Sequence, residues 1–323
     1  MAILIDAEGV NLERILDDTY GPWHDGLTRP AYGQFYAAQT RLPWGRANLR
    51  RVALMDGEEL LASTKWYLLD AVLDGAPMKV AGLGAVFTSP ASRKRGAARE
   101  LIEQVLERAA ADGADLALLF SEIGPEYYAK RGFVPIETKD LQLRVTESTR
   151  YGAPMTMVRS GDDRDLADIT AMGHTRAEPY RFHLSRDRDL IHFAIARKRL
   201  LAGFAAPGTR AAQFFIAEEG ASAAAYVVIS VKGQEWMLEE AGDRDPTGAR
   251  VGAILQVLIA RDPAEKRPSI KGWLPDGFLP PQVTVIGEAP SAELMMVRPL
   301  SERARGLAPI AWREVCYWHG DLF

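Results

Sequence analysis

Apolar and polar positions alternate in two rhythms along the first half of this chain. Arg51–Met55, Leu60–Leu69 and Met78–Thr88 are apolar-rich runs of strand length, and Asp56-Gly57 and Asp74-Gly75 stand between them. Asp-Gly supplies the positive φ of a tight hairpin turn, so the three runs predict an antiparallel meander. At Arg99–Ala111 the rhythm becomes helical. Ala98, Leu101, Ile102, Val105, Leu106 and Ala109 fall on one face, and Arg99, Glu100, Glu103, Glu107 and Arg108 on the other. Asp112-Gly113 ends this helix, and Leu116–Phe120 is wholly apolar, as a buried strand requires. Pro125–Lys130 reads as a short helix, Gly132-Phe133-Val134-Pro135 opens another strand, and Leu141–Val145 is expected to extend the same sheet.

Upstream, residues 9–50 mix helical stretches with the breaks Gly21-Pro22, Arg29-Pro30 and Leu42-Pro43. Tyr20, Trp23, Tyr32, Phe35, Tyr36 and Trp44 are interleaved with those breaks, either as a satellite core or as the wall of a substrate pocket. A boundary is expected near Tyr151-Gly152-Ala153-Pro154. Beyond it, strands are expected at Met155–Arg159, Phe214–Glu218, Ala223–Val231 and Glu235–Glu239, and helices at Asp162–Met172, Asp187–Leu201 and Ala249–Arg261. The strand–helix series thus runs twice, implying a duplicated α+β fold with domains over 1–150 and 151–323, each a mixed, mostly antiparallel sheet flanked by helices.

Composition narrows the function classes. The chain has 323 residues, 47% apolar and 25% charged, which suits an ordinary globular protein of two domains. A net charge of −4, with both signs mixed along the chain, offers no basic stripe for nucleic acid. No apolar run is long enough for a membrane span, and Met1–Glu8 lacks the pattern of a signal peptide, so the expected compartment is the cytoplasm. Cys316 is the sole cysteine, and His174, His183 and His192 lack metal-ligand spacing, so no metal is expected.

Candidate chemistry concentrates in Val80–Arg99. An apolar strand runs into a loop that opens the amphipathic helix, with Arg93-x-x-Gly96-x-Ala98 at the junction. Free backbone N–H groups and the helix dipole make such a junction a seat for a phosphate. Gly96 permits close backbone approach, and Arg93, Lys94, Arg95 and Arg99 add positive charge. The alternative is a solvated basic helix start. Clustered bases at the positive end of a helix repel one another unless an anion is bound, so a pyrophosphate fits better. A P-loop reading fits less well, because the loop lacks the Gly-Lys-Ser/Thr ending and follows an antiparallel meander.

With this motif, and with Tyr128-x-x-x-Gly132-Phe133 downstream, residues 50–145 resemble the GCN5-related N-acetyltransferase (GNAT) superfamily. Val80-Ala-Gly-Leu-Gly-Ala-Val-Phe-Thr-Ser-Pro, Arg93-Lys-Arg-Gly and Phe120-Ser-Glu are similar to the Eis-type branch, whose members carry tandem GNAT lobes, the second degenerate. Those members usually add a sterol-carrier-like third domain. Little more than forty residues follow Pro281, so that domain is expected to be absent or much reduced.

The resemblance implies acetyl-CoA as co-substrate. Backbone groups of Val86, Phe87 and Thr88 would meet the pantetheine. The amides of Lys94, Arg95, Gly96, Ala97 and Ala98 would hold the pyrophosphate, with Arg93 and Arg99 nearby and Ser121 and Glu122 close to the cofactor. Tyr128 stands in the place of the general acid that protonates the departing thiolate, near the usual tyrosine pKa of about 10. Tyr127 is expected to point to a different helix face. By the same resemblance the C-terminal carboxylate of Phe323 is the candidate base, with His319 and Asp321 as rivals; ordinary packing of a last strand is the alternative. In the second half Asp243 and Asp245 would repel a pyrophosphate. The expected acceptor is a small-molecule amine or a lysine side chain, with Asp17, Asp18 and Asp25 available to attract a cation. Eis-type relatives assemble, which implies a homo-oligomer. A decayed acyl-CoA-binding sensor or scaffold is the competing function.

Overall fold

The computed structural model describes residues 2–146, 157–307 and 309–323, so the expected boundary at Tyr151–Pro154 lies outside the described residues. The elements in chain order begin β1 (Ile3–Asp6), α1 (Gly9–Trp23), α2 (Arg29–Arg41), α3 (Pro43–Asn48), β2 (Leu49–Asp56), β3 (Glu59–Leu73) and β4 (Ala76–Thr88). Next come α4 (Ala97–Ala111), β5 (Leu116–Ser121), α5 (Glu126–Ala129), β6 (Val134–Ile136), β7 (Lys139–Val145), β8 (Met157–Ser160), α6 (Leu166–Ala177), β9 (Phe182–Leu184) and α7 (Arg188–Phe204). The last are β10 (Arg210–Glu219), β11 (Ser222–Lys232), β12 (Glu235–Asp243), α8 (Ala249–Ile259), β13 (Ser269–Gly272), β14 (Val283–Pro290), β15 (Leu294–Pro299) and β16 (Val315–Cys316). The chain forms two compact units: Met1–Glu137 with Glu293–Ile310 and Phe323, and Thr138–Ala292 with Ala311–Leu322. Among the described residues no helix is long and apolar enough to cross a membrane.

The first unit is built on the strand order β1-β2-β3-β4-β5-β15-β6. β2, β3 and β4 form the antiparallel meander that the Asp-Gly dipeptides predict. At the second turn Leu73 pairs with Ala76, and Asp74 and Gly75 both take positive φ, which matches a two-residue I′ hairpin. One face of the sheet is covered by α4, whose Leu101, Ile102, Val105 and Leu106 pack with Val52, Leu54, Trp66, Leu83 and Leu119. The other face receives α1, where Ile15 packs on Ala53 and Met55.

The second unit has the order β14-β7-β13-β12-β11-β10-β8. Its main core packs α8 residues Val251, Ile254, Leu255 and Leu258 against Val227, Ile229 and Leu238. Each unit thus has its own mixed, mostly antiparallel sheet flanked by helices, and the fold is α+β with two tandem GNAT-like lobes.

Leu141–Val145 departs from expectation. β7 does not extend the first sheet; it pairs with β13 and β14, and Leu143 and Val145 are buried in the second unit's core. The place beside β5 is taken instead by β15, whose Met295, Met296 and Val297 are buried. Asp115 anchors the chain beyond β15: its carboxylate meets Ser301 Oγ at 2.7 Å and Arg303 Nη2 at 2.6 Å, and its carbonyl accepts from the Leu300 amide. Alternation along a strand shows that one face is apolar, but not which sheet receives it.

Candidate active site

The site begins with a parting of two strands. β4 and β5 run parallel and pair only over Val80–Leu83 and Leu116–Leu119. Beyond Leu83 the strands have no shared ladder, while β4 continues to Thr88 and β5 pairs with β15 as far as Ser121. A bulge sits at this point of β4: Lys65 faces Gly84 but Ser63 faces Phe87, and Ala85 takes φ of 49°. A non-glycine residue there is strained, and such strain persists only where the surroundings enforce it. Thr64 Oγ1 donates to the Gly84 carbonyl at 2.9 Å.

The loop after β4 leads into α4. Gly96 is the N-cap, with φ of 88°, and no side chain caps the helix. Lys94 also has positive φ, 61°, and Arg93, Lys94, Arg95 and Gly96 are exposed. The first-turn amides of a fifteen-residue helix are therefore left without a side-chain acceptor amid basic residues, which is the chemistry of an anion seat. A cavity of about 390 Å³ lies along this junction, lined by Val86, Thr88, Ser92, Arg93, Lys94, Gly96, Ala97, Ala98, Arg99, Ile123, Tyr127, Tyr128 and Arg131.

Tyr128 is buried in the cavity wall, with its ring edge-on to Tyr127 and Phe133. Burial pushes its phenol up to about 12 rather than leaving it near 10, so it stays protonated across the physiological range. Tyr127 was expected on a different face, yet it lines the same cavity, under the Arg131 guanidinium at 3.6 Å. Four expected cofactor residues lie off the cavity lining, among them the exposed Arg95. Phe87 turns its ring toward Trp23, Ser121 Oγ donates to the Gly124 carbonyl at 2.6 Å, and Glu122 is exposed. Ser92, Ile123 and Arg131 line the cavity without having been singled out from the sequence. Arg131 in particular adds a cation to the wall.

Phe323 packs against β3, β4 and β5 and is not among the residues that line the cavity. Its ring lies 4.7 Å from Tyr67 and 5.4 Å from Phe120, centroid to centroid. Gly82 and Gly84 leave room for it: a Cβ on Gly82 would fall 2.8 Å from Phe323 Cζ, and one on Gly84 3.0 Å from the Phe323 carbonyl oxygen. The two glycines of Val80-Ala-Gly-Leu-Gly84 are therefore space for the residue that ends the sequence, a role that no local pattern reveals.

His319 and Asp321 are engaged elsewhere, in the second unit. Glu239 is buried; its Oε2 lies 2.7 Å from His319 Nδ1 and 2.9 Å from Lys198 Nζ. Burial opposes the charge, but Lys198 and His319 hold the carboxyl well below the usual range. Arg186 is clasped by both oxygens of Glu240 at 2.7 and 2.6 Å, and its Nε lies 3.1 Å from Asp321 Oδ1 without hydrogen-bond geometry. Burial, helped by the nearby Glu240 charge, lifts the Asp321 carboxyl to about 6 against the pull of Arg186.

The second unit also has a glycine-capped helix, at Gly248 with φ of 73°. Here the amides are taken. Asp243 Oδ2 accepts from Arg250 N at 2.8 Å and Val251 N at 3.3 Å, so the chain's own carboxylate fills the place of an anion. Asp243 is thus a built-in occupant of this helix start. Among the described residues no group of three or more His, Cys, Asp and Glu side chains is placed to hold a metal ion.

The family model for the acetyltransferase (GNAT) domain matches residues 28–136. No curated protein matches the sequence. Similar solved structures include a conserved protein of unknown function from Enterococcus faecalis V583, described as a probable N-acyltransferase. It has 12% identity and a TM-score of 0.67, covering 93% of this chain and 73% of that one. A GCN5-related N-acetyltransferase from Kribbella flavida has 16% identity and a TM-score of 0.65, covering 93% and 71%. Eis1 from Mycobacterium abscessus has 14% identity and a TM-score of 0.58, covering 94% and 75%. At these identities the likeness is one of fold. The family match over residues 28–136 spans about a third of the chain, and the parted strands and the uncapped basic helix start both lie within it.

Proposed function

We propose that this protein is an N-acetyltransferase that moves an acetyl group from acetyl-CoA to a primary amine. The observation that carries the reading is the cavity joining the parting of β4 and β5 to the uncapped N-terminus of α4, with four bases around it. The donor set suits a pyrophosphate: amides from Lys94 to Ala98, with Arg93 and Arg99 as counter-charges. Backbone groups of Val86, Phe87 and Thr88, released from pairing with β5, would meet the amides of the pantetheine arm. Arg131 is a further cation for the phosphate end.

The amine nitrogen attacks the thioester carbonyl carbon, the carbon–sulfur bond breaks, and the sulfur leaves with the electron pair. Tyr128 donates its O–H toward that sulfur. Its high pKa makes it a persistent donor rather than a base. The amine's proton needs an acceptor. Phe323 lies beside the bulge at Gly84, and a free carboxylate on it would orient the amine and take the proton through water. That role requires Phe323 to end the mature chain, which the intact mass of the purified protein checks.

The test is thiol release from acetyl-CoA with a panel of primary amines. Tyr128→Phe should lower kcat about 10²–10³-fold, as loss of one donor to a developing anion does. Deleting Leu322 and Phe323 should collapse turnover while acetyl-CoA still binds. Acetyl-CoA binding without turnover of any amine would favour a sensor instead.

A further inference from the structure

Arg51 lies in β2 and is only 3% exposed, and its Nε, Nη1 and Nη2 meet no hydrogen-bond acceptor among the described residues. No carboxylate appears among the groups that act on its charge; those are the phenols of Tyr32, Tyr36 and Tyr67. A guanidinium does not give up its proton to escape burial, and an unpaired buried charge is among the costliest features a fold carries. Buried polar atoms on β3 and α2 are orphaned as well. Ser63 pairs with Ala53, two residues along from Arg51 and so on the same sheet face, and its Oγ has no partner. Gln39 follows Tyr32 and Tyr36 along one face of α2, and its Oε1 is likewise buried and unsatisfied.

Arg51 sits in line with the candidate site. Arg51 pairs with Lys65, and Lys65 pairs with Gly84, so Arg51 and Gly84 stand in one row across three strands, about 10 Å apart at two strand spacings. Tyr67 bridges the two regions, since its phenol acts on Arg51 and its ring packs on Phe323. A guanidinium pairs edge-on with a carboxylate through two parallel hydrogen bonds. One carboxylate also balances one guanidinium, whereas a dianionic phosphate would leave excess charge buried.

We propose that Arg51, flanked by Tyr32, Tyr36 and Tyr67, is the seat for a carboxylate on the acceptor, so that the acceptor is an amino acid: an amine and a carboxylate on one small molecule. The carboxylate seat stands on the geometry around Arg51; the identity of its owner as the acceptor rests on the acetyltransferase reading above.

Two measurements test this and keep the two readings apart. The first is the thermal midpoint of the full chain in sodium formate against sodium chloride at equal ionic strength. Formate should raise the midpoint of the wild type, Arg51→Lys should show a smaller rise, and Arg51→Met none. Without formate, Arg51→Met should melt higher than the wild type because an uncompensated charge is gone. The second is kcat/KM for matched pairs, phenylalanine against phenethylamine and lysine against cadaverine. The wild type should favour the carboxylate-bearing member about 10–100-fold, as a charged hydrogen-bonded contact does, and Arg51→Met should lose that preference. Equal stabilisation by chloride and formate with no kinetic preference would make this a structural halide site and overturn the proposal. No stabilisation by either salt would overturn it as well. Formate stabilisation that depends on Arg51, with no amine turned over, would sink the acetyltransferase reading and leave the carboxylate seat standing.

Discussion

Gly82→Ala should slow the proposed acetyl transfer through Phe323. A Cβ there falls 2.8 Å from Phe323 Cζ and 3.2 Å from Leu69 Cδ1. Non-bonded carbons rest about 3.5–4.0 Å apart, so the ring must give way by about 1 Å. It has little freedom to do so, because Tyr67 packs at 4.7 Å on one side and Phe120 at 5.4 Å on another. Inserting a methyl group into such packing costs about 1–3 kcal/mol. A shift of about 1 Å at a reacting group costs about 10²-fold in rate, so kcat for Gly82→Ala should fall by that order. Stability supplies the sharper assay. Urea unfolding of the wild type, Gly82→Ala, the deletion of Leu322 and Phe323, and the combination forms a double-mutant cycle. Once the ring is gone, the tightest contact left is the end of the Leu69 side chain at 3.2 Å, so the alanine should cost a few tenths of a kcal/mol. The cycle should therefore show a coupling of about 1–2 kcal/mol. Additive effects, within about 0.5 kcal/mol, would refute the idea that Gly82 exists to seat Phe323.

Two further outcomes concern the buried ions of the second unit. Arg186→Met leaves Glu240 and Asp321 buried without their cation, so it should destabilise by about 3–5 kcal/mol, read as a lower urea midpoint. Glu239 is held below its ordinary value of 4.5, so it adds stability above that pH, and the contribution is lost as the pH falls through and below it. The stability advantage of the wild type over Glu239→Gln should therefore shrink between about pH 5 and pH 3; a constant difference would count against the ion pairs with Lys198 and His319.

Much of the loop-and-helix side of the cavity was legible in residue order. Asp-Gly turns, one amphipathic helix and a basic glycine loop are local features, and local features write themselves into spacing. Val86, Thr88 and the Arg93–Arg99 segment accordingly line one cavity with Tyr128, apart from Arg95, which lies beside that lining. What spacing missed is non-local. The side chain of Ser121 turns to its own loop, and Tyr127 turns toward the cavity, because the four residues of α5 are too short a helix for face rules to hold. Arg51 was only the first residue of an expected strand; its burial without a hydrogen-bond partner follows from the fold.

The sequence alone determined the β2–β4 meander, α4, β5, the helices α6 to α8, the strands β10 to β12, the α+β class and the chemical character of the loop before α4, since each follows from the order of neighbours. Tertiary structure decided the rest. It sent β7 to the second sheet and brought β15 into the first, because strand pairing compares segments far apart in the chain. It placed Asp243 on the helix start where the second unit would otherwise accept an anion. It also set Phe323 against Gly82 and Gly84, so that two glycines gained their meaning from a ring some 240 positions away. A side chain's neighbours in space, not in sequence, fix its room, its partners and its charge.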